Sequence, residues 1–262
     1  MASKTERRRE EIVARAAAMG LANVDDLAAR FDVTASTIRR DLALLSRSGR
    51  LARTYGGAIA PSDRAETSLL QREREGFDAK SAIARWAAAQ VQAKESILLD
   101  AGSTVALLAR QLPTLDAVTV TTASVPVISL LRSRPDLNLV SLGGRLRELS
   151  DAFVGPLTEQ NLERLTFDRL FLGTDGVSTD GAICEAELDQ TRLKELMARQ
   201  SRHVYVLAHS AKLGRAPFHS WARIEQPWTL VTDDGADPDF LKAFRSDERE
   251  VVLTSAVDAA QQ

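Results

Sequence analysis

The 262-residue chain holds one cysteine, Cys184, so no disulfide can close within it. A disulfide-stapled scaffold is excluded, and a reducing cytoplasm is the expected home. Long apolar runs are also missing, and none approaches the roughly 18 residues that a membrane helix needs. The basic N-terminus does not lead into the apolar core of a signal peptide, because Glu10 and Glu11 intervene. The histidines His203, His209 and His219 show no zinc-ligand spacing with Cys184, so neither a metal nor a cofactor is expected. There is no Gly-x-Ser-x-Gly nucleophile turn, no Walker-type phosphate loop, no internal repeat and no low-complexity tract. What is present, 44% hydrophobic and 27% charged residues, is the composition of a soluble globular protein. Its length suffices for a small domain beside one of about 200 residues.

The most telling stretch runs from Val24 to Gly57. Val24, Leu27, Ala28 and Phe31 recur at helical spacing and give a short helix one apolar face. Asp32-Val33 breaks it, and Thr34 or Ser36 can cap a second helix by accepting backbone N–H groups. In that second helix Ile38, Leu42 and Leu45 face inward, which leaves Ser36, Thr37, Arg39 and Arg40 on or beside the opposite face near its start. A recognition helix presents such positions to base edges and phosphates in a major groove. Ser48-Gly49 ends the helix, Leu51-Ala52-Arg53 reads as a strand, and Tyr55-Gly56-Gly57 as a hairpin tip that can lie on the DNA backbone. An upstream helix over Glu6–Met19, with Ile12, Val13 and Ala16 inward, completes a three-helix core. The pattern is a winged helix-turn-helix for double-stranded DNA.

The plain alternative is an α-hairpin with solvated arginines, and charge distribution weighs against it. Residues 1–60 carry 11 Lys and Arg against 7 Asp and Glu, whereas the whole chain has net charge −2. A basic head on an acidic body is the asymmetry of a DNA reader joined to a sensor that does not touch DNA.

The run Val33-Thr34-Ala35-Ser36-Thr37-Ile38-Arg39-Arg40-Asp41-Leu42-Ala43-Leu44-Leu45, followed by Gly49, Arg53, Gly56 and Gly57, resembles the DNA-binding head of DeoR-type bacterial transcriptional regulators. That resemblance implies that Ser36, Thr37, Arg39 and Arg40 read the operator while Arg53 and the Gly56-Gly57 wing clamp its backbone.

Beyond the head, Pro61-Ser62-Asp63 marks a linker at about residues 59–67, and Leu69 to Gln92 is patterned as helix. We therefore expect a head at 1–60, a linker and bridging helix at 61–95 and a larger domain at 96–262. Short apolar runs then alternate with amphipathic ones. The runs are Ile97–Leu99, Val118–Thr121, Leu139–Leu142, Arg169–Leu172, Val204–Leu207 and Leu230–Thr232; Val105–Leu112, Pro126–Arg132 and Leu188–Arg199 are the helices. Alternation with near-continuous apolar strands predicts an α/β domain with a mostly parallel sheet covered on both faces. Asp258 to Gln262 are expected to fray.

Polar residues collect directly after these strands, at the edge where open α/β sheets bind ligands. Leu99 is followed by Asp100-Ala101-Gly102-Ser103-Thr104, Thr121 by Thr122-Ala123-Ser124, and Leu142 by Gly143-Gly144-Arg145. Leu172 is followed by Gly173-Thr174-Asp175-Gly176 and Ala208 by His209-Ser210-Ala211-Lys212. Hydroxyls and helix-start N–H groups suit a phosphate; Asp100 and Asp175 suit hydroxyls; Arg145 and Lys212 suit negative charge. The combination predicts a phosphorylated sugar or polyol as ligand, held by Asp100, Gly102, Ser103, Thr104, Thr122, Ser124, Gly143, Gly144, Arg145, Asp175 and Lys212. Glu185, Glu187 and Lys194 sit around the start of the helix after Gly181; the DeoR resemblance implies Glu187 or Glu185 near the pocket, and a solvated i,i+4 helix surface fits equally well. Cys184 reads as a small buried residue.

These segments, with Phe153-Val154-Gly155, resemble the effector domain of the same DeoR family. The resemblance implies a fold similar to ribose-5-phosphate isomerase and the CoA-transferases. It also implies a homo-oligomeric repressor of carbohydrate, polyol or nucleoside genes, relieved by a phosphorylated intermediate. Two positions depart from the family pattern, Ala123 for an Asn and His209 for an Asp. They point to a different ligand or weakened binding; His209 could meet a phosphate or carboxylate as a titratable donor, or be a surface turn residue. The alternatives to a regulator are a sugar-phosphate isomerase with an appended head and a scaffold without DNA binding.

Overall fold

In the computed structural model, which describes residues 4–19, 22–47, 52–54, 57–59 and 69–255, the chain divides into two units, Met1–Arg72 and Glu73–Gln262. The first contains α1 (Lys4–Met19), β1 (Ala22–Asn23), α2 (Val24–Phe31), α3 (Ala35–Arg47), β2 (Ala52–Thr54) and β3 (Gly57–Ile59). Ile12, Val24, Leu27, Ile38, Leu42 and Leu45 form its buried core, with Val13, Ala28 and Phe31 packed against it. The helical spacing of these residues brings three helices together on one apolar face. Asp32 takes a left-handed conformation (φ 50°) and stops α2.

The wing differs in detail from its sequence reading. The strand runs Ala52–Thr54, one residue later than expected, and Gly57 opens β3 where a place in the hairpin tip was expected. Thr54 pairs with Gly57 in the antiparallel register of β2 and β3. A third strand, β1, completes the order β1-β3-β2. Tyr55, Gly56 and the expected linker beyond Ile59 lie outside the described residues, as do Asp258–Gln262.

The expected single helical stretch from Leu69 to Gln92 is two helices, α4 (Leu69–Arg74) and α5 (Phe77–Ala89). Gly76, at φ 60°, breaks them in a conformation that costs glycine little. After α5 come β4 (Ser96–Leu99), α6 (Ser103–Gln111), β5 (Val118–Thr122), α7 (Val125–Leu131) and β6 (Leu137–Ser141). A hairpin, β7 (Arg145–Arg147) with β8 (Ala152–Val154), leads into α8 (Pro156–Leu162) and β9 (Phe167–Leu172). Then follow β10 (Gly176–Val177), β11 (Ile183–Glu185), α9 (Leu188–Arg199) and β12 (Ser201–Leu207). A single 3-10 turn (Ser210–Lys212), β13 (Ser220–Ala222), β14 (Trp228–Asp233), α10 (Pro238–Phe244) and β15 (Arg249–Thr254) complete the described chain.

Seven strands form one sheet in the order β15-β14-β12-β9-β4-β5-β6, and all its pairings are parallel. Its strands alternate between two cores, as the twofold period of a strand requires. Leu98, Leu170 and Leu172 join Met197, Trp228 and Phe244 on one face. Ile97, Leu99 and Phe171 join Ile83, Ala87 and Leu108 on the other. Burial on both faces explains why the strands read as continuous apolar runs. A small antiparallel sheet, β10-β11-β13, sits beside the main one in chain order between β9 and β14. Among the described residues no helix is long and apolar enough to cross a membrane.

Candidate functional site

In the head, Thr34 makes the α3 start. Its Oγ1 accepts a hydrogen bond from the Thr37 amide at 3.3 Å and lies 2.8 Å from Ser36 Oγ and 3.0 Å from Thr37 Oγ1. Thr34 is therefore the cap, and Ser36 lies within the helix. Ile38, Leu42 and Leu45 are buried while Ser36, Arg39 and Arg40 are exposed, so one helix splits into a core face and an outward polar face. Between the arginines and the core sits Asp41, which is buried. It accepts hydrogen bonds from Arg8 Nε and Arg9 Nε of α1, each at 2.7 Å. That double ion pair ties α3 to α1. The strands that carry Arg53 and Gly57 are in place.

In the second unit the strand order reverses at β4: β5 and β6 extend to one side, β9, β12, β14 and β15 to the other. The crevice outside the carboxyl ends of β4 and β9 is thus the topological switch point of the sheet, where such folds receive ligands. Asp100 follows β4, and its Oδ2 accepts the Gly173 amide, after β9, at 3.1 Å. The approach is so close that a β-carbon on Gly173 would come within 2.8 Å of the Ala101 carbonyl oxygen. Lys194 of α9 ties the same point from beneath. Its Nζ lies 3.0 Å from Asp100 Oδ2, donates to the Gly173 carbonyl at 2.7 Å, and reaches Glu185 Oε1 at 2.6 Å. Gln190 donates to the other Glu185 oxygen at 3.3 Å. Burial lifts the Glu185 carboxyl to about 7; Lys194 opposes the lift, and Asp175 and Asp100 add to it. Burial alone would lower the Lys194 ammonium, yet Asp100 and Glu185 together raise it above its ordinary value.

The sequence-predicted residues take different parts around this point. Ser103 and Thr104 are buried in the first turn of α6, which starts at Gly102 without a capping side chain. Those helix-start amides can receive an anion. Lys212 donates to the Thr174 carbonyl and lies 3.9 Å from Asp175 Oδ1. Thr122 and Ser124 spend their hydroxyls on the backbone: Thr122 Oγ1 donates to the Leu99 carbonyl at 2.7 Å and accepts the Ser124 amide, while Ser124 caps α7. Ala123 is buried in the apolar core. Gly143 and Gly144 carry the chain from β6 into β7, where Thr158 Oγ1 donates to the Gly143 carbonyl at 2.7 Å. Arg145 is exposed and paired with Asp189 at 2.8 Å.

Residues 76–234 match the DeoR C-terminal sensor domain and residues 8–64 the DeoR-like helix-turn-helix domain. The chain belongs to the DeoR family of transcriptional regulators. It is 32% identical over 225 residues to the HTH-type transcriptional regulator GlpR of Haloferax volcanii, covering 86% of this chain and 88% of that protein. It is 28% identical over 214 residues to the glycerol-3-phosphate regulon repressor of Escherichia coli K12, covering 82% and 85%. The lactose phosphotransferase system repressor of Staphylococcus epidermidis is 29% identical over 219 residues, covering 82% and 86%. Among solved structures, ribose 5-phosphate isomerase A from Methanocaldococcus jannaschii is similar over 53% of this chain and 55% of that one, at 20% identity and a TM-score of 0.40.

Within this DeoR sensor domain the sequence reading missed Lys80. It is 1% exposed on α5, in a segment read as a charged bridging helix. The signal was available, because Lys80, Ile83, Ala84 and Ala87 share one helical stripe and all are buried. Of the residues left between pocket and surface, Glu185 and Lys194 are buried at the switch point. Glu187 stands apart, paired with Arg147 at 3.0 Å and positioned at the start of α9. Cys184 is buried, its thiol 3.5 Å from the Phe218 carbonyl and raised above its ordinary pKa by that burial.

Proposed function

We propose that this DeoR-family protein is a cytoplasmic repressor of carbohydrate or polyol catabolism genes, released from its operator by a phosphorylated sugar or polyol. The observation that carries this reading is the crevice at β4 and β9. There Asp100 and Asp175 offer acceptors for hydroxyls, and the uncapped first turn of α6, with Ser103 and Thr104, offers donors for a phosphate. Lys212 beside Asp175 and the buried Lys80 supply positive charge, while Gly102, Gly143, Gly144, Arg145, Thr122 and Ser124 shape the surrounding loops. The names of the Escherichia coli and Staphylococcus epidermidis relatives, a glycerol-3-phosphate regulon repressor and a lactose phosphotransferase system repressor, support the choice of genes.

On the DNA side, Ser36, Thr37, Arg39 and Arg40 read the operator, with Arg53 and the Gly56-Gly57 wing on its backbone. One head covers a short footprint, so a homo-oligomer on a palindromic or repeated operator multiplies affinity through effective concentration. The protein does not turn its effector over, and a conversion assay with pentose and hexose phosphates is expected to show no product.

The test is fluorescence anisotropy of the full chain on DNA from its own upstream region, at two salt concentrations, with a panel of sugar and polyol phosphates. Salt-sensitive, site-specific binding released by one phosphorylated compound is expected. Release by unphosphorylated compounds alone would overturn the effector reading, and binding without site preference would overturn the regulator's operator.

A further inference from the structure

One side chain beside the crevice is unexplained by the fold. His209 follows β12, and its Nδ1 is buried without a hydrogen-bond partner among the described residues. The other edge of the ring closes on the start of α5, where a β-carbon on Gly76 would stand 3.1 Å from Cδ2 and 3.5 Å from Nε2. Four charged groups bear on the imidazole from the elements around it: Lys80 from α5, Lys212 from the adjoining 3-10 turn, Arg215 just after that turn, and Asp233 at the end of β14. The Asp233 carboxylate is committed elsewhere. It accepts the Ser210 amide at 2.6 Å, the Ser210 hydroxyl at 2.7 Å and the Gly235 amide at 3.2 Å. Burial first, and then the cations, push the imidazole down to about 4, so the ring is neutral near pH 7. A buried ring nitrogen with no hydrogen-bond partner among the described residues, at the start of the turn that carries Lys212, is an unfavourable arrangement for the protein alone and a favourable one for an anion.

We propose that His209 is a ligand-contacting residue that sets specificity for a phosphate dianion, taking up one proton as the dianion enters and donating from Nδ1 to a phosphate oxygen. The proposal rests on the phosphorylated-effector reading above and adds a residue and a proton to it. The proton comes from solvent, and no covalent bond forms or breaks. Two negative charges among Lys80, Lys212 and Arg215 offset those cations, and their direct attraction for the protonated ring opposes the burial that does most to keep the free ring neutral, so the bound ring becomes an imidazolium. An unphosphorylated parent compound brings no such offset and gains nothing from His209. The sign follows from linkage: the free ring is neutral above pH about 4 and the bound ring is charged, so affinity falls as pH rises toward the bound-state pKa. The fall is at most about tenfold per pH unit and levels off above that value.

Isothermal titration calorimetry of the full chain, with inorganic phosphate and with glycerol 3-phosphate, tests this in two buffers of unlike ionisation enthalpy between about pH 6 and 8. Wild type is expected to take up close to one proton more than His209→Gln at the acidic end. The variant's affinity should be about tenfold weaker there, and the gap should narrow toward pH 8. Because the phosphate's own titration is common to both proteins, the difference isolates His209. Nitrogen-15 spectra of the wild-type imidazoles give a second readout that needs no variant: one ring should pass from neutral to imidazolium when phosphate is added near pH 7. Binding with equal proton uptake, or a ring that stays neutral, overturns the role of His209 and leaves the phosphorylated effector standing. If neither phosphate compound binds at any pH, the role of His209 falls, since it needs only a phosphate dianion, while the phosphorylated effector is decided separately by the operator-release panel.

Discussion

The Lys194 ammonium lies 2.6 Å from the Glu185 carboxylate with both side chains withdrawn from water, and the same ammonium serves Asp100 at 3.0 Å. One cation thus answers two carboxylates, and the surplus negative charge falls on Glu185, whose carboxyl burial lifts to about 7. An ordinary glutamate in the unfolded chain titrates near 4.3, so the folded sensor domain binds the extra proton between those values. Stability from this group is fully present below about pH 4.3 and is lost as pH rises through about 7. In Glu185→Gln that slope disappears. Melting temperatures of the two proteins compared from about pH 5 to 8 should converge or cross as pH rises, wild type losing up to about 1.4 kcal/mol per pH unit relative to the variant. Parallel curves would place the shared proton elsewhere.

Removing the cation itself should cost more. Lys194→Met leaves Asp100 and Glu185 buried without their common partner, and breaking such a pair costs about 3–5 kcal/mol. Without the ammonium the Glu185 carboxyl rises further and is neutral near pH 7, so the double variant Lys194→Met with Glu185→Gln should lose less than the sum of the two single variants. Urea unfolding of the three proteins gives the comparison, and strictly additive losses would mean that the two side chains do not interact.

The apolar strands of the sensor domain were legible because burial on both faces leaves no polar alternation: Ile97-Leu98-Leu99 and Leu170-Phe171-Leu172 are read directly as buried strands. β15 was not, since Arg249 and Glu250 open an edge strand whose exposure resembles that of a loop. The strands of the small antiparallel sheet, such as Gly176–Val177, are too short to show a period. Asp100, Asp175 and Lys212 show a common address after strands in the sequence itself. Thr122 and Ser124 share that address, yet spend their hydroxyls fastening it. Lys80 was missed because a lysine counts as surface in any composition-based reading, although its register with Ile83 and Ala87 marks the buried stripe. Nothing in the sequence marks the ties that hold Asp41, because its partners Arg8 and Arg9 lie more than 30 residues away in the chain.

Asp41 supplies a test of how the head holds its reading face. Arg8 and Arg9 keep 14% and 31% of their side-chain exposure, so solvent screens the pairs in part, while Asp41 keeps only 3%. Asp41→Ala should therefore cost about 1–3 kcal/mol, below the toll of a wholly buried pair. The loss should appear in the head, as faster amide exchange in α1 and α3, with the sensor domain's exchange unchanged. Operator affinity should fall with it, because α3 loses its tie to α1. A uniform loss of protection across both units would refute that local assignment.

Arg39 tests the reading face itself. It is exposed on the outward side of α3, three residues from the Thr34–Ser36 hydroxyl cluster that marks the helix start. A base-edge contact and a phosphate contact leave different signatures when it is removed. If Arg39 reads a base, Arg39→Ala should cost about 1–3 kcal/mol and relax preference at one operator position, with the salt dependence nearly unchanged. If it neutralises a phosphate, binding should weaken evenly across sequences and the salt slope should fall by about one. Its position near the N-terminal end of α3 favours the base contact, since that end of a recognition helix enters the major groove. Arg40, next along the helix and also exposed, is expected to show the phosphate signature. Anisotropy titrations of both variants on the operator and on single-base operator mutants, each at several salt concentrations, separate the two. Unchanged affinity for Arg39→Ala on every sequence would remove Arg39 from the reading face.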